Sequence, residues 1–303
     1  MSATPRTTVV TDLLLTLFAT SLLVISQSVL LPIVDAGAKG EYCLDRSEST
    51  ISGTSGPDRL KGTAEADVIY GLGGDDVISG RGGDDILCGG PGNDRLLSGT
   101  SPVFGVAVGG RGDDVLLGGG GFNWLEGGQG DDRLFDGGGR SRMLGGAGDD
   151  RLSGGPAGDI MVPGPGRDDL DGGLGADTVW YYDATSAIRV DLTLGRASGE
   201  GVDTLRSVVR VMGSVSDDVF IGSGRDERFF GQWGDDLIKA RGGRDKLQGT
   251  HGDDRLYGGR GGDILDGLYD NDYLDGGPGE DDLDGGPNWD NCVAGETVSR
   301  CEA

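Results

Sequence analysis

One arrangement of apolar and polar positions recurs every nine residues over most of the chain. Runs such as GLGGDDVIS, GRGGDDILC and GGPGNDRLL follow one another, each with a large apolar residue in the eighth place. Five consecutive nonads run from Gly53 to Leu97, eight from Gly109 to Trp180 and nine from Gly213 to Val293. Residues 98–108 make a degenerate unit two residues longer than nine. In all 22 regular nonads the eighth position is apolar, for example Leu60, Ile78, Leu116, Val179, Phe220 and Leu283. The last three places suffice for a short strand with its middle side chain turned inward. The first six, rich in glycine, predict a tight turn. Glycines in the first, second and fourth places permit positive φ and close approach of main chains.

A unit this short cannot bury a face of its own, so the copies must stack. Turn plus strand makes half a coil, and two nonads make a coil of 18 residues. Successive coils then pair as parallel strands about 4.8 Å apart. The prediction is an all-β, right-handed parallel solenoid of roughly eleven coils, with a short β-rich insert between two blocks of coils.

The sixth position is aspartate in 19 of 22 nonads; Asn123, Ser141 and Glu227 are the exceptions. Residues 18 apart stand on one edge, so Asp58, Asp76 and Asp94 share a column, as do Asp236, Asp254, Asp272 and Asp290. Carboxylates stacked at strand spacing repel unless positive charge lies between them. Hard oxygen ligands and exposed glycine carbonyls select Ca²⁺ over a transition metal. Charge fits this. The chain has 51 acidic and 26 basic residues, a net charge of −25. Without residues 1–38 it loses Arg6, Asp12 and Asp35 and carries −24, which about twelve divalent ions would neutralise. Nucleic acid is excluded as a partner, because phosphate would be repelled.

These motifs resemble the repeats-in-toxin (RTX, haemolysin-type) calcium-binding repeats, whose nonad is G-G-x-G-x-D-x-U-x with U a large apolar residue. The resemblance covers nearly everything after residue 44. It implies a parallel β-roll with Ca²⁺ held between successive turns by sixth-position carboxylates and main-chain carbonyls. The implied ligands are Asp58, Asp67, Asp76, Asp85, Asp94, Asp114, Asp132, Asp150, Asp159, Asp168, Asp177, Asp218, Asp236, Asp245, Asp254, Asp263, Asp272, Asp281 and Asp290. Glu65, Ala157 and Arg225 replace the fourth-position glycine and weaken their sites, as do the three replacements of the aspartate.

The remaining segments set the organisation. Residues 1–38 read as a signal peptide: Arg6, an apolar run from Leu13 to Val34, then Ala36-Gly37-Ala38. The expected location is therefore extracellular, with a surface anchor through residues 13–34 as the alternative. Residues 39–180 are the N-terminal roll with its cap, 181–212 the insert, 213–293 the C-terminal roll and 294–303 a C-terminal cap. In the insert Ile188, Val190 and Leu192 alternate like a strand and GRASGEG reads as a turn. Trp180, Tyr181 and Tyr182 cluster at its entrance.

Cys43, Cys88, Cys292 and Cys301 allow three connectivities, of which Cys43–Cys88 and Cys292–Cys301 would close the two ends. Enzyme chemistry is not expected. His251 is the only histidine, there is no H-E-x-x-H, and the paired carboxylates are needed as ligands. The sequence thus points to a monomeric, secreted, non-enzymatic calcium-binding protein. A calcium-stiffened structural or adhesive module with a cell-surface or matrix partner is the alternative.

Overall fold

The computed structural model describes Cys43, residues 50–100, 104–294 and 297–301. The chain divides after Lys39, and residues 40–303 form one unit. Residues 1–38, with the expected signal peptide, lie outside the described residues.

Among the described residues the unit is built from two sheets of 14 and 15 strands, and consecutive strands along the chain alternate between them except in the insert. The pairing register is the sequence period doubled. Arg133, Leu134 and Phe135 lie beside Arg151, Leu152 and Ser153, and the next coil brings Asp169, Leu170 and Asp171. The longer unit at residues 98–108 is absorbed without a break, since Ile86 pairs with Val106 and Arg95 with Val115, 20 residues on. The eleven coils expected from nonads alone fall short. The leader strand Ile51–Ser52, the degenerate unit, the insert and the tail strand Thr297–Ser299 all add to the stack.

The core is a single file of inward side chains, alternately from each sheet. Ile69, Ile78, Leu87, Leu96, Leu116, Leu125, Leu134, Met143 and Leu152 are each fully buried, and Phe220 to Leu283 continue the file. Each such side chain stabilises the stack by about 1.5–3 kcal/mol. This yields about one sealed side chain per nine residues, a thin core for so long a chain.

The insert joins both sheets. Asp177–Trp180 pairs with Val208–Met212, which pairs in turn with Arg228–Trp233. In the other sheet Arg189–Asp191, Arg196–Ser198 and Val202–Arg206 form an antiparallel meander between Asp169–Asp171 and Val219–Ile221. The GRASGEG segment is therefore more than a turn: its Ala197 is buried in the core between Val190 and Asp203. Both ends are tied covalently, by Cys43–Cys88 and by Cys292–Cys301. Cys88 lies two coils along from Ile51 on the same sheet.

Candidate metal centre

Each sixth-position aspartate lies immediately before its strand, or is its first residue in the case of Asp177, so the sheet register stacks these residues directly. Their first carboxylate oxygen has a structural task. The backbone N–H of Asp114 donates to Asp132 Oδ1 at 2.7 Å, that of Asp132 to Asp150 at 2.8 Å, and that of Asp150 to Asp168 at 2.8 Å. Asp94 joins the same column through Asp114 across the longer unit, at 2.7 Å. In the second block Asp218, Asp236, Asp254, Asp272 and Asp290 repeat the pattern. The opposite edge carries Asp67 to Asp85, Asp159 to Asp177, and Glu227 through Asp245 and Asp263 to Asp281. Gly105, Asn123 and Ser141 interrupt that edge in the first block.

The second oxygen is different. Oδ2 of Asp76, Asp85, Asp94, Asp114, Asp132, Asp150, Asp168 and Asp177 is buried with no hydrogen-bond partner, as is Oδ2 of Asp236, Asp245, Asp254, Asp263, Asp272 and Asp290. A buried carboxylate oxygen left unpaired costs about 1–3 kcal/mol or more. Burial first, and nearby carboxylates of the stacked turns after it, resist ionisation and outweigh the backbone N–H that each of these carboxylates accepts. They push Asp114 and Asp150 up to about 8, Asp132 and Asp168 to about 7, and Asp236 to about 9.

Main-chain oxygen stands beside these atoms. A Cβ added to Gly71 would lie 2.2 Å from Asp76 Oδ2 and 2.6 Å from the Gly89 carbonyl oxygen. On Gly127 it would meet Asp132 Oδ2 at 2.3 Å and the Gly145 carbonyl at 2.5 Å, and on Gly231 Asp236 Oδ2 at 2.0 Å and the Gly249 carbonyl at 2.7 Å. Space therefore favours glycine in the first place of these turns, although Pro163 and Ala240 hold it in two others. That glycine does not take positive φ, contrary to the expectation from sequence; the second and fourth places do.

Among the described residues, no group of three or more His, Cys, Asp and Glu side chains is placed to hold a metal. A bound ion must draw on carbonyls as well as carboxylates, the donor set of a hard cation. Asn123 shows the carbonyls at work. Its neutral amide NH₂ donates from Nδ2 to Gly119 O at 3.1 Å and Gly121 O at 2.9 Å.

Not every expected ligand is open. Asp58 Oδ2 accepts the N–H of Thr54 at 2.6 Å and its hydroxyl at 2.9 Å, and Thr63 does the same for Asp67. These bonds, led by the Thr63 N–H, lower the Asp67 pKa from its ordinary value. Ser214 closes Asp218, Ser223 closes Glu227, and the Gly155 N–H closes Asp159.

Two features escaped the reading of the sequence. Asp203, in the insert, continues the first column by accepting the Asp168 N–H at 3.2 Å. Its signal was present: SGEGVDTLR, residues 198–206, is a nonad with serine for the first glycine. There the second oxygen accepts the hydroxyl of buried Tyr181 at 3.0 Å. The other is a solvent-facing ladder at the fifth position, where Asp75, Asn93, Asp113, Asp131 and Asp149 each accept the N–H of the following coil. The doublets GDD and GND carried that signal.

Stacked turns lined with buried carboxylate and carbonyl oxygen define a repeat solenoid that binds hard divalent cations. The RTX calcium-binding nonapeptide repeat model matches residues 52–87, 62–96, 108–143, 126–161, 135–170, 144–179, 230–265 and 257–288. These stretches cover more than half of the 303 residues, and the chain belongs to that family: it is a calcium-binding β-roll. No curated protein matches the chain.

Proposed function

We propose that this is a secreted protein in which Ca²⁺ binding between stacked turns drives folding of the roll. The observation that carries the reading is the set of buried, unpartnered Oδ2 atoms running along both edges. Asp76, Asp94, Asp114, Asp132, Asp150 and Asp168 would hold the ions of one edge of the first block. Asp236, Asp254, Asp272 and Asp290 would hold those of the second. The glycine carbonyls beside them complete the donor set. Bound calcium supplies the positive charge that lets neighbouring carboxylates stay ionised in one column. Without it the turns carry uncompensated charge, so at neutral pH the free chain is largely unfolded. Two disulfides fit an oxidising compartment and support export.

Circular dichroism of the purified full chain tests this. Adding Ca²⁺ to chelated protein generates β-structure, with apparent dissociation constants of about 10⁻⁴ to 10⁻³ M, as in extracellular calcium modules. An unchanged β-rich spectrum in excess chelator refutes calcium-driven folding.

A further inference from the structure

The 22 regular nonads, all among the described residues, fall into two backbone states. In fifteen of them the second position has positive φ: Gly90, Gly110, Gly128, Gly146, Gly164, Gly173, Gly259, Gly277 and Gly286, and also Leu72, Arg81, Gln232, Arg241, Thr250 and Leu268. Side chains rarely adopt this conformation, which costs about 1–2 kcal/mol at a non-glycine residue. Every unpartnered Oδ2 described above belongs to one of these fifteen turns. In this open state the second-position N–H points to the next coil, as Gly146 does to the Pro163 carbonyl and Gly259 to the Gly276 carbonyl.

The other seven turns are closed. Thr54, Thr63, Gly119, Gly155, Ser214 and Ser223 have no positive φ, and each turns its N–H onto the side chain at position six of its own nonad. Gly137 completes the seven, in the nonad where Ser141 replaces the aspartate. Hydroxyl identity does not separate the states, since Thr250 is open at φ 104° while Thr54 and Thr63 are closed.

The fourth position separates them. In fourteen of the fifteen open turns it too has positive φ, filled by glycine or by Asp270 or Asn288, residues that tolerate that region. In the closed turns it never does. Glu65, Ala157, Ser216 and Arg225 occupy it in four of these; Gly56, in the first turn of the roll, is the one exception among turns with a carboxylate, a glycine without positive φ. Gly121 and Gly139 stand there in the two turns that lack a carboxylate at position six.

We infer that the residue at position four decides whether a turn takes calcium. A residue that accepts positive φ lets the turn open and leaves the carboxylate oxygen for the ion. One that refuses it keeps the turn closed, with a main-chain N–H in the cation's place. Each roll block then begins with two calcium-independent turns, Thr54 and Thr63 in the first and Ser214 and Ser223 in the second. This rests on the calcium reading above and adds which turns load.

The test is calcium stoichiometry of the full chain, by equilibrium dialysis with radioactive Ca²⁺. Ala157→Gly, which frees the turn of Asp159, raises the number of ions per chain by at least one. Glu65→Gly does the same for Asp67. Asp58→Asn and Asp218→Asn, in closed turns, leave the wild-type number unchanged. Gly130→Ala lowers it: φ there is 126° and the new Cβ would lie 2.3 Å from the Gly112 carbonyl. Unchanged stoichiometry in both glycine variants overturns the rule, as does loss of ions in the two closed-turn asparagine variants. Wild-type protein that binds no calcium overturns the underlying reading instead. Because the glycine variants predict a gain, misfolding cannot imitate the expected result.

Discussion

Replacing Asp132 by asparagine should have opposite effects with and without calcium. The carboxylate sits in mid-column, 1% exposed, with Oδ1 accepting the Asp114 N–H and Oδ2 unpartnered. Asparagine keeps the acceptor and replaces the orphaned oxygen by an NH₂ group. The chain already holds such a group at the same place, where buried Asn123 donates to two glycine carbonyls. In the Asp132 turn the Gly145 carbonyl stands beside the position that the amide would take. In chelator the substitution removes one buried charge and one unsatisfied oxygen. The gain is about 2 kcal/mol, a factor of about 30 in the ratio of folded to unfolded chain.

With calcium present the sign reverses. Asp132 lies between Asp114 above and Asp150 below, so its loss weakens one or two ions. At a calcium concentration 100 times the dissociation constant, each lost ion costs about 2.7 kcal/mol. For a domain of this size the melting temperature falls by about 5–10 °C per ion. The assay is the β-structure signal of wild type and Asp132→Asn in chelator, and their thermal melts in excess Ca²⁺. A variant that is destabilised in both conditions, or in neither, refutes the reasoning.

Acid should replace calcium in part. Carboxyls that burial lifts, such as Asp114 to about 8, Asp150 to about 8 and Asp236 to about 9, hold protons that the unfolded chain releases near 3.8. Their contribution to the calcium-free roll is full below the unfolded value and is lost as pH rises through the folded values, so chelated protein gains β-structure when pH is lowered from about 9 to about 5. A β-signal that falls over that range contradicts this. In the core, Leu247→Ala removes a fully buried side chain from the single file and destabilises the calcium-loaded roll by about 2–5 kcal/mol, read from chemical denaturation. A loss below about 1 kcal/mol would mean that the ions alone hold the coils.

The architecture was legible because the signal is redundant. The apolar eighth place is repeated 22 times, and the register follows from the period with no long-range inference. The column of aspartates was equally plain. Less visible was what each carboxylate does with its second oxygen, because that depends on φ two and four residues earlier in the turn. Thr63 closing Asp67 looks in sequence like any polar residue in a loop. Asp203 was missed for another reason: the meander separates it from Asp168 by 35 residues, so no search at 18 finds the pair. Position one shows a residue type read correctly for the wrong reason. Its glycine is favoured by the crowd of oxygen atoms around the missing Cβ, rather than by backbone conformation.

Asp203 also shows how this fold answers a buried carboxylate with a protein group. Along both edges the fold buries a carboxylate in almost every half-coil, and the file of apolar side chains is too thin to offset such charges by itself. Each carboxylate must therefore be answered. At Asp203 the answer is the Tyr181 hydroxyl, and at Asp58, Asp67, Asp159 and Asp218 it is a main-chain N–H of the same turn. These five, with Glu227, which the Ser223 N–H answers, belong to the first two turns of each block, to the turn beside Ser141 and to the insert. They are places where a coil has an unusual neighbour on one side, as Asp58 and Asp218 do at the start of their columns. Elsewhere along the columns the turns repeat, and a cation between two identical turns can serve both. The protein donors thus stand where the lattice of turns starts or is interrupted, and the calcium seats lie where it repeats.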